Sequence, residues 1–306
     1  MTGNKLYKML VCAALLTGAL VVRAEDGGSY SGFTPYSMFG LGNISAGGSA
    51  YNNTMGGVGI ASRNNRFINS MNPAAVTARD SLSFMSDVSL SQMNTIFRQG
   101  TMTSAANVFN MNNFIISTPI AGKLAMMAGV KPFSTTGYGY GYYDYDAELG
   151  SIANNYSGQG SLYQLFVAAG YPIVGGLNLG VEYIHYFGNI EKNYTQGIAD
   201  EAALGISKNE DMYIRSNSAK FGLQYEQRIG KKWKLCAGAT YRLSSNISGY
   251  LTTSSGAGTS SVTTVVDTLS LRAEPLKIAS ELGLGIAVNY MNRIRAEIDY
   301  TRADWS

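Results

Sequence analysis

The sequence has very little of what catalytic and metal sites require. It contains one histidine, His185, and two cysteines, Cys12 and Cys236. Such a chain cannot supply a clustered set of zinc ligands by itself. His185 shares strand parity with apolar neighbours, so we expect it at a rim or interface rather than acting as a general base. We therefore expect no enzyme activity, no metal and no cofactor.

Charge is also scarce. Charged residues make up 14% of the chain, well below the roughly 25% of ordinary soluble domains. Basic and acidic residues become equal in number once the first 24 are set aside, which excludes an electrostatic attraction to nucleic acid. No later apolar run is long enough for a membrane helix. Abundant glycine and tyrosine, 36 and 21 residues, instead favour strands placed in lipid.

Residues 1–24 have the organisation of a removed signal peptide. Two lysines precede an apolar run from Met9 to Val22, and Ala24 provides a small residue at the cleavage point. A membrane anchor is the alternative, but the run is shorter than the ~20 residues that a spanning helix needs. We expect an exported chain that begins at Glu25 and retains only Cys236, which excludes an internal disulfide.

Alternating side chains predict strands with one apolar and one polar face. We count nine crossing strands, which begin near 81, 112, 123, 160, 177, 211, 232, 276 and 293, and an uncertain tenth at 262–272. A soluble β-sandwich alternates in the same way. The connections favour a membrane barrel, because short and long ones alternate. The short ones are 121–123, 172–176, 229–232 and 291–293, and the expected long loops are 91–111, 134–159, 189–210 and 248–275.

The segment 25–79 differs from the rest, since it is rich in glycine and has no strand-length alternation. We divide the chain into a signal peptide (1–24), an N-terminal hatch or plug (25–79) and a partial transmembrane β-barrel (80–306). Met55-Gly56-Gly57-Val58-Gly59-Ile60-Ala61-Ser62, followed by Asn72-Pro73-Ala74-Ala75, resembles the hatch signature of the FadL/TodX-like family of outer-membrane hydrophobic-compound transporters. The strand pair that follows Pro275 is similar to one beyond the middle of that family's barrel.

The resemblance implies an all-β fold, a fourteen-stranded antiparallel transmembrane barrel with an N-terminal hatch, in the cell outer membrane. It assigns Asn72, Pro73 and Ala74 to the hatch motif, for which an ordinary Asx-Pro turn is the alternative. It also implies passive uptake of hydrophobic compounds such as long-chain fatty acids. Met126, Met127 and Phe166 are candidates for an apolar path.

The alternative function is a structural or secretion-machinery adaptor barrel without transport activity. The expected partners are outer-membrane lipid, hydrophobic small molecules, the barrel-assembly machinery and, for the adaptor, a secretion-machinery protein. Because nine or ten strands are fewer than fourteen and a spanning sheet must close, we expect this sequence to be a C-terminally truncated form of a longer barrel.

The signal peptide gives a direct prediction. Protein purified from the native membrane should begin at Glu25, because the charged start, apolar run and small residue together direct cleavage after Ala24. N-terminal sequencing and intact mass measure this. A membrane-bound product that still begins at Met1 would contradict it and would favour the anchor.

Overall fold

The protein is built on a single curled antiparallel sheet with its N-terminal segment packed against one face. The computed structural model describes residues 32–45, 47–79, 83–198, 205–257, 261–268, 276–291 and 293–305. Within these residues, no helix has the length and hydrophobicity needed to cross a bilayer. The signal peptide predicted at 1–24 lies outside the described residues.

Nine long strands form a half-barrel in which each strand pairs with the next of the nine along the chain. They are β2 (Met85–Gln99), β3 (Met102–Ala121), β4 (Leu124–Asp146), β5 (Gly150–Pro172), β6 (Leu177–Ile198), β7 (Ile206–Ile229), β8 (Trp233–Arg242), β13 (Ser280–Tyr290) and β14 (Ile294–Asp304). β2 and β14 are the two ends of this order. The predicted all-β, antiparallel class is confirmed.

Shorter elements complete the described chain. They are β1 (Asn43–Ile44), β9 (Ser245–Asn246), β10 (Ser248–Ala257), β11 (Ser261–Thr268), β12 (Lys277–Ile278), the helix α1 (Ala50–Thr54), and 3-10 turns at Pro35–Met38 and Pro73–Ala78. β1 pairs with β4, and β10 pairs with both β7 and β11. The uncertain tenth segment, at 262–272, corresponds in its described part to β11, whose described pairing is with β10.

The two faces of the sheet differ as the alternation predicts. On β6, Leu179, Val181 and Tyr183 are each about half exposed, whereas Asn178 and Glu182 on the opposite face are buried. We call the face covered by the N-terminal segment the inner face and the apolar one the outer face. Apolar residues that project from the outer face include Val88, Ile116, Val167, Leu223, Leu235, Leu284 and Ile298. An apolar surface that extends over so many strands requires an apolar environment.

The connections are confirmed at one end of the sheet and differ at the other. The four short turns lie at the predicted positions, between β3 and β4, β5 and β6, β7 and β8, and β13 and β14. The prediction of long loops at 91–111, 134–159 and 189–210 is wrong, because most of these residues continue the paired strands. β4 to β7 reach 22–24 residues, twice the 9–11 or so that a membrane strand needs. In the region 248–275, the described residues contain the β10–β11 hairpin.

Tyrosine explains why the glycine-rich stretches remain in strands. Tyr140, Tyr156 and Tyr194 face one another directly across β4, β5 and β6. Their ring centroids lie 5.3 and 4.7 Å apart. Cross-strand aromatic pairs each contribute roughly 0.2–1 kcal/mol, which offsets the low strand propensity of glycine. Composition alone indicated a loop because it does not show these pairs.

A line of glycines on the inner face lets the N-terminal segment approach the wall. Gly170, Gly180 and Gly222 pair across β5, β6 and β7, and Gly238 pairs with Gly285 across β8 and β13. A Cβ at Gly180 or Gly222 would lie well inside 3.0 Å of Asn72, Pro73 or Ala74. We call these five residues the glycine strip; it brings two backbones together where side chains would separate them.

The apolar core lies between the inner face and the N-terminal segment. Wall residues such as Ile115, Leu162 and Ile184 pack there with Ile68 and Val76 of the segment. The segment also contacts both ends of the strand order. The Ala50 amide donates to Asp87 on β2 at 3.3 Å, and the Gly59 amide donates to Asp299 on β14 at 2.7 Å. It thus braces the half-barrel from inside.

The glycine strip can be tested with a single methyl group. Gly180→Ala should destabilise the fold by about 1–3 kcal/mol, as overpacking does elsewhere, and should expose the N-terminal segment to protease. Gly197→Ala is the matched control on the same strand, since a Cβ there meets nothing within 4 Å. Thermal unfolding and limited proteolysis measure both effects. Equal behaviour of the two variants would contradict the close contact.

Candidate functional site

The candidate site is the inner junction, where residues 59–63 and 72–74 meet β7, β8 and β14. The 3-10 turn Pro73–Ala78 begins there because Pro73 occupies its first position and the Asn72 side chain accepts from the Ala74 amide. Asn72, Pro73 and Ala74 are all buried. The three residues predicted to form the hatch motif therefore lie together, against the glycine strip.

The side chain of Asn72 makes several hydrogen bonds at the centre of the junction. Its Oδ1 accepts from the Ala74 amide at 3.0 Å, and its Nδ2 donates to the carbonyls of Ile60 at 2.8 Å and Leu223 at 3.1 Å. One buried amide thus joins two parts of the N-terminal segment to β7. Gln224, the next residue along β7, also donates to the Ile60 carbonyl at 2.8 Å.

Two carboxylates on β14 hold the turn before Asn72. Asp299 Oδ2 accepts from the amides of Gly59 and Ile60 at 2.7 and 2.9 Å, and Glu297 Oε1 accepts from the Ala61 amide at 3.1 Å. Charge-assisted bonds of this type are stronger than neutral ones. Arg295 donates to the other oxygen of Glu297 at 3.0 Å and to the hydroxyl of Ser62.

Arg63 links the N-terminal segment to the short-turn ends of β6 and β7. Its guanidinium donates to Gln224 Oε1 at 3.0 Å and lies 3.6 Å from the Glu226 carboxylate. Burial lowers the pKa of Arg63, whereas Glu226 acts in the opposite direction. Arginine keeps its charge under such conditions.

The candidate apolar path is divided between the two faces of the sheet. Met127 and Phe166 are fully buried and pack into the core beneath the N-terminal segment. Met126 has the opposite parity on β4 and points to the outer face. The three side chains therefore do not line one continuous surface.

A cavity of about 690 Å³ opens beside the junction at the short-turn end of the sheet. Tyr51 and residues 63–66 line one side, and inner-face residues of β7, β8, β13 and β14 line the other. Cys236 lies at its buried end. In the described part of the chain, no group of three or more His, Cys, Asp or Glu residues is placed to hold a metal.

Asn72 could be predicted from the sequence, whereas the wall residues that hold the junction together could not. Asp299, Glu297 and Arg295 alternate with apolar residues along the last strand, which gives their inward parity but not their partners in the segment. The glycines at the same parity carried a further signal: inward glycines on adjacent strands leave room for a second backbone. That signal indicates where the segment lies along the wall.

Asn72 gives the test of the junction. Asn72→Ala leaves the buried Ala74 amide and two carbonyls without this partner, and each such group costs about 1–3 kcal/mol. The thermal unfolding midpoint should fall, and the segment should become cleavable. Asn53→Ala, in the exposed part of α1, is the control and should behave as wild type. A stable, protease-resistant Asn72→Ala protein would contradict the assignment.

Comparison with known proteins now identifies the family. Neither the curated proteins nor the solved structures contain a match to this chain. The sequence model of the BamG family matches residues 6–306, nearly the whole chain. The FadL/TodX resemblance is therefore wrong, and the transport function that it implied is wrong with it. The short hatch-like motif indicates that a segment packs against a wall. Proteins of different function share this kind of packing. The chain belongs to the BamG family, which is associated with the barrel-assembly machinery and the outer membrane.

Proposed function

We propose that this chain is a structural adaptor of the outer-membrane barrel-assembly machinery, embedded in the bilayer through its apolar outer face. The observation that carries the proposal is the fixed N-terminal segment, which is bonded to β2, β7 and β14 across the inner face. A channel needs a route past such a segment, whereas a scaffold benefits from its rigidity. Membership of the BamG family supplies the partner class. The proposal assigns no catalysis and no cofactor.

The outer face supports placement in the bilayer. Aromatic side chains cluster towards the short-turn end, where Trp233 and Tyr290 pack with ring centroids 4.6 Å apart and Tyr171 is half exposed. Such rings are favoured at the level of lipid headgroups. Above this level the apolar residues of the outer face form a band, as in membrane barrels. Lipid satisfies no exposed edge, so we expect β2 and β14 to be paired in the membrane.

The inner face supports a role other than moving hydrophobic molecules. Met127 and Phe166 are locked in a close-packed core. The cavity beside the inner junction is lined mainly by polar and cationic side chains. A hydrophobic ligand gains no binding free energy from such a lining, since desolvating charged groups is costly. Residues 32–79 are therefore proposed to act as an internal brace.

The length of β4 to β7 extends the sheet beyond the membrane, which suits an adaptor. A paired strand rises about 3.3 Å per residue, so the ten or more extra residues of β4 to β7 extend roughly 30 Å beyond the bilayer. Tyrosine rings packed across the strands stiffen this extension. A stiff, partly exposed sheet is suited to holding a partner at a fixed distance from the membrane.

The function is tested by depleting the protein in its native cell. Other outer-membrane barrels should fall in abundance, affinity-tagged protein should co-purify with the assembly machinery, and uptake of labelled long-chain fatty acid should be unchanged. Wild-type protein supplied from a plasmid is the control and should restore barrel levels. Loss of uptake with normal barrel levels and no recovered machinery would contradict the proposal.

A further inference from the structure

The cavity beside the inner junction has a strong excess of positive charge. Its lining contains one acidic residue, Glu226, and six cationic ones. The cationic residues are Arg63, Arg66, Arg228, Lys234, Arg293 and Arg295. They come from the N-terminal segment and from β7, β8 and the β13–β14 hairpin, so the fold gathers them from four separate stretches of sequence.

Two of these cations already have structural partners. Arg63 is paired with Glu226 at 3.6 Å, and Arg295 with Glu297 at 3.0 Å; both cationic side chains are largely buried. These two hold the segment to the wall, as described for the inner junction.

The other four cations have no such partner. Among the residues that the structure describes, the side chains of Arg66, Arg228, Lys234 and Arg293 make no hydrogen bond or ion pair. Arg66, Arg228 and Arg293 are exposed at the cavity mouth, and Lys234 lies deeper. Like charges held around one cavity repel each other, so an anion that enters it is stabilised by all four.

The position of the cavity decides which anion fits. Arg228 and Lys234 have inner parity on β7 and β8, the same as Glu226 and Cys236, whereas lipid surrounds the outer face. The wall therefore separates the cavity from the headgroups of the bilayer. Its mouth lies at the short-turn end, which faces the periplasm in barrels of this type. Carboxylates on a soluble chain reach it from there.

The lining also suits a peptide. Tyr51 stacks on Phe67 with centroids 4.5 Å apart, and the Arg295 guanidinium lies 5.8 Å from the Tyr51 ring. A flat aromatic surface beside guanidinium groups contacts the apolar parts of a peptide while the cations bind its carboxylates. We propose that this cavity is the docking site for an acidic peptide segment of a periplasmic partner. The inference rests on the adaptor function proposed above.

The experiment uses purified full-length protein in zwitterionic nanodiscs and a fluorescein-labelled oligo-glutamate peptide as the probe. Fluorescence anisotropy should show saturable binding that weakens as salt is raised. Arg228→Glu with Lys234→Glu should weaken binding by about tenfold or more, since charge-assisted contacts become repulsive. Arg228→Gln with Lys234→Gln should give an intermediate loss and guards against misfolding. Heat-modifiable mobility on gels reports the fold of each variant.

Lys123→Glu is the matched control. Lys123 is exposed in another short turn at the same end of the sheet and lies outside the cavity, so this variant should bind the peptide as wild type does. Equal loss in the control and the cavity variants would show general attraction to a basic surface and would overturn the docking site. A second arm uses nanodiscs that contain phosphatidylglycerol. Competition by this lipid that depends on Arg228 and Lys234 would assign the site to headgroups and would also overturn it.

Capture of the assembly machinery from cells separates this inference from the adaptor function. If wild type captures the machinery but peptide affinity is the same in wild type and the charge-reversed variant, the docking site is wrong and the adaptor function stands. If the peptide binds through Arg228 and Lys234 but no machinery is captured, the adaptor function is wrong. Reduced capture by the charge-reversed variant alone, with Lys123→Glu unaffected, supports both.

Discussion

The close approach of two backbones, made possible by the glycine strip, is the constraint on which the structure depends. Because Gly180 and Gly222 have no side chains, Asn72 and Pro73 lie directly on the wall. Only at that distance can one asparagine reach Ile60 and Leu223 at once. The same contact brings Gly59 and Ile60 to Asp299. A larger residue in the strip would remove the hydrogen bonds along with the packing.

The close contact between the segment and the wall also determines what fills the interior of the half-barrel. Once the segment is fixed to β7 and β14, the apolar side chains of the inner face have a partner other than water or a ligand. Phe166 and Met127 lie in the core that this packing forms. The cavity beside the inner junction lies at the short-turn end, where its lining is cationic. The fixed position of the segment and the cationic cavity therefore both follow from the packing of the segment on the wall.

Much of the wall could be predicted from the sequence, because strand alternation is a local property. The inner parity of Glu182 and Cys236, the outer parity of Leu179 and Trp233, and the short turns all follow from neighbouring residues. The extensions could not, since the pairs that stabilise them, Tyr140 with Tyr156 and Tyr156 with Tyr194, form between strands and depend on their register. Nor could the cavity, whose charges come from four stretches that only the fold brings together. The FadL/TodX resemblance was wrong because the motif Asn72 to Ala75 indicates only that a segment packs against a wall. Such a motif contains no information about function.

Hydrogen exchange in the bilayer tests most directly whether the segment is a fixed brace. The amides of Gly59, Ile60, Ala61 and Ala74 donate to Asp299, Glu297 and Asn72. If the account is correct, these amides exchange as slowly as those in the centre of β6, because they open only when the whole structure opens. Exchange as fast as that of the exposed turns, with β6 still protected, would show a segment that moves freely and would contradict the account.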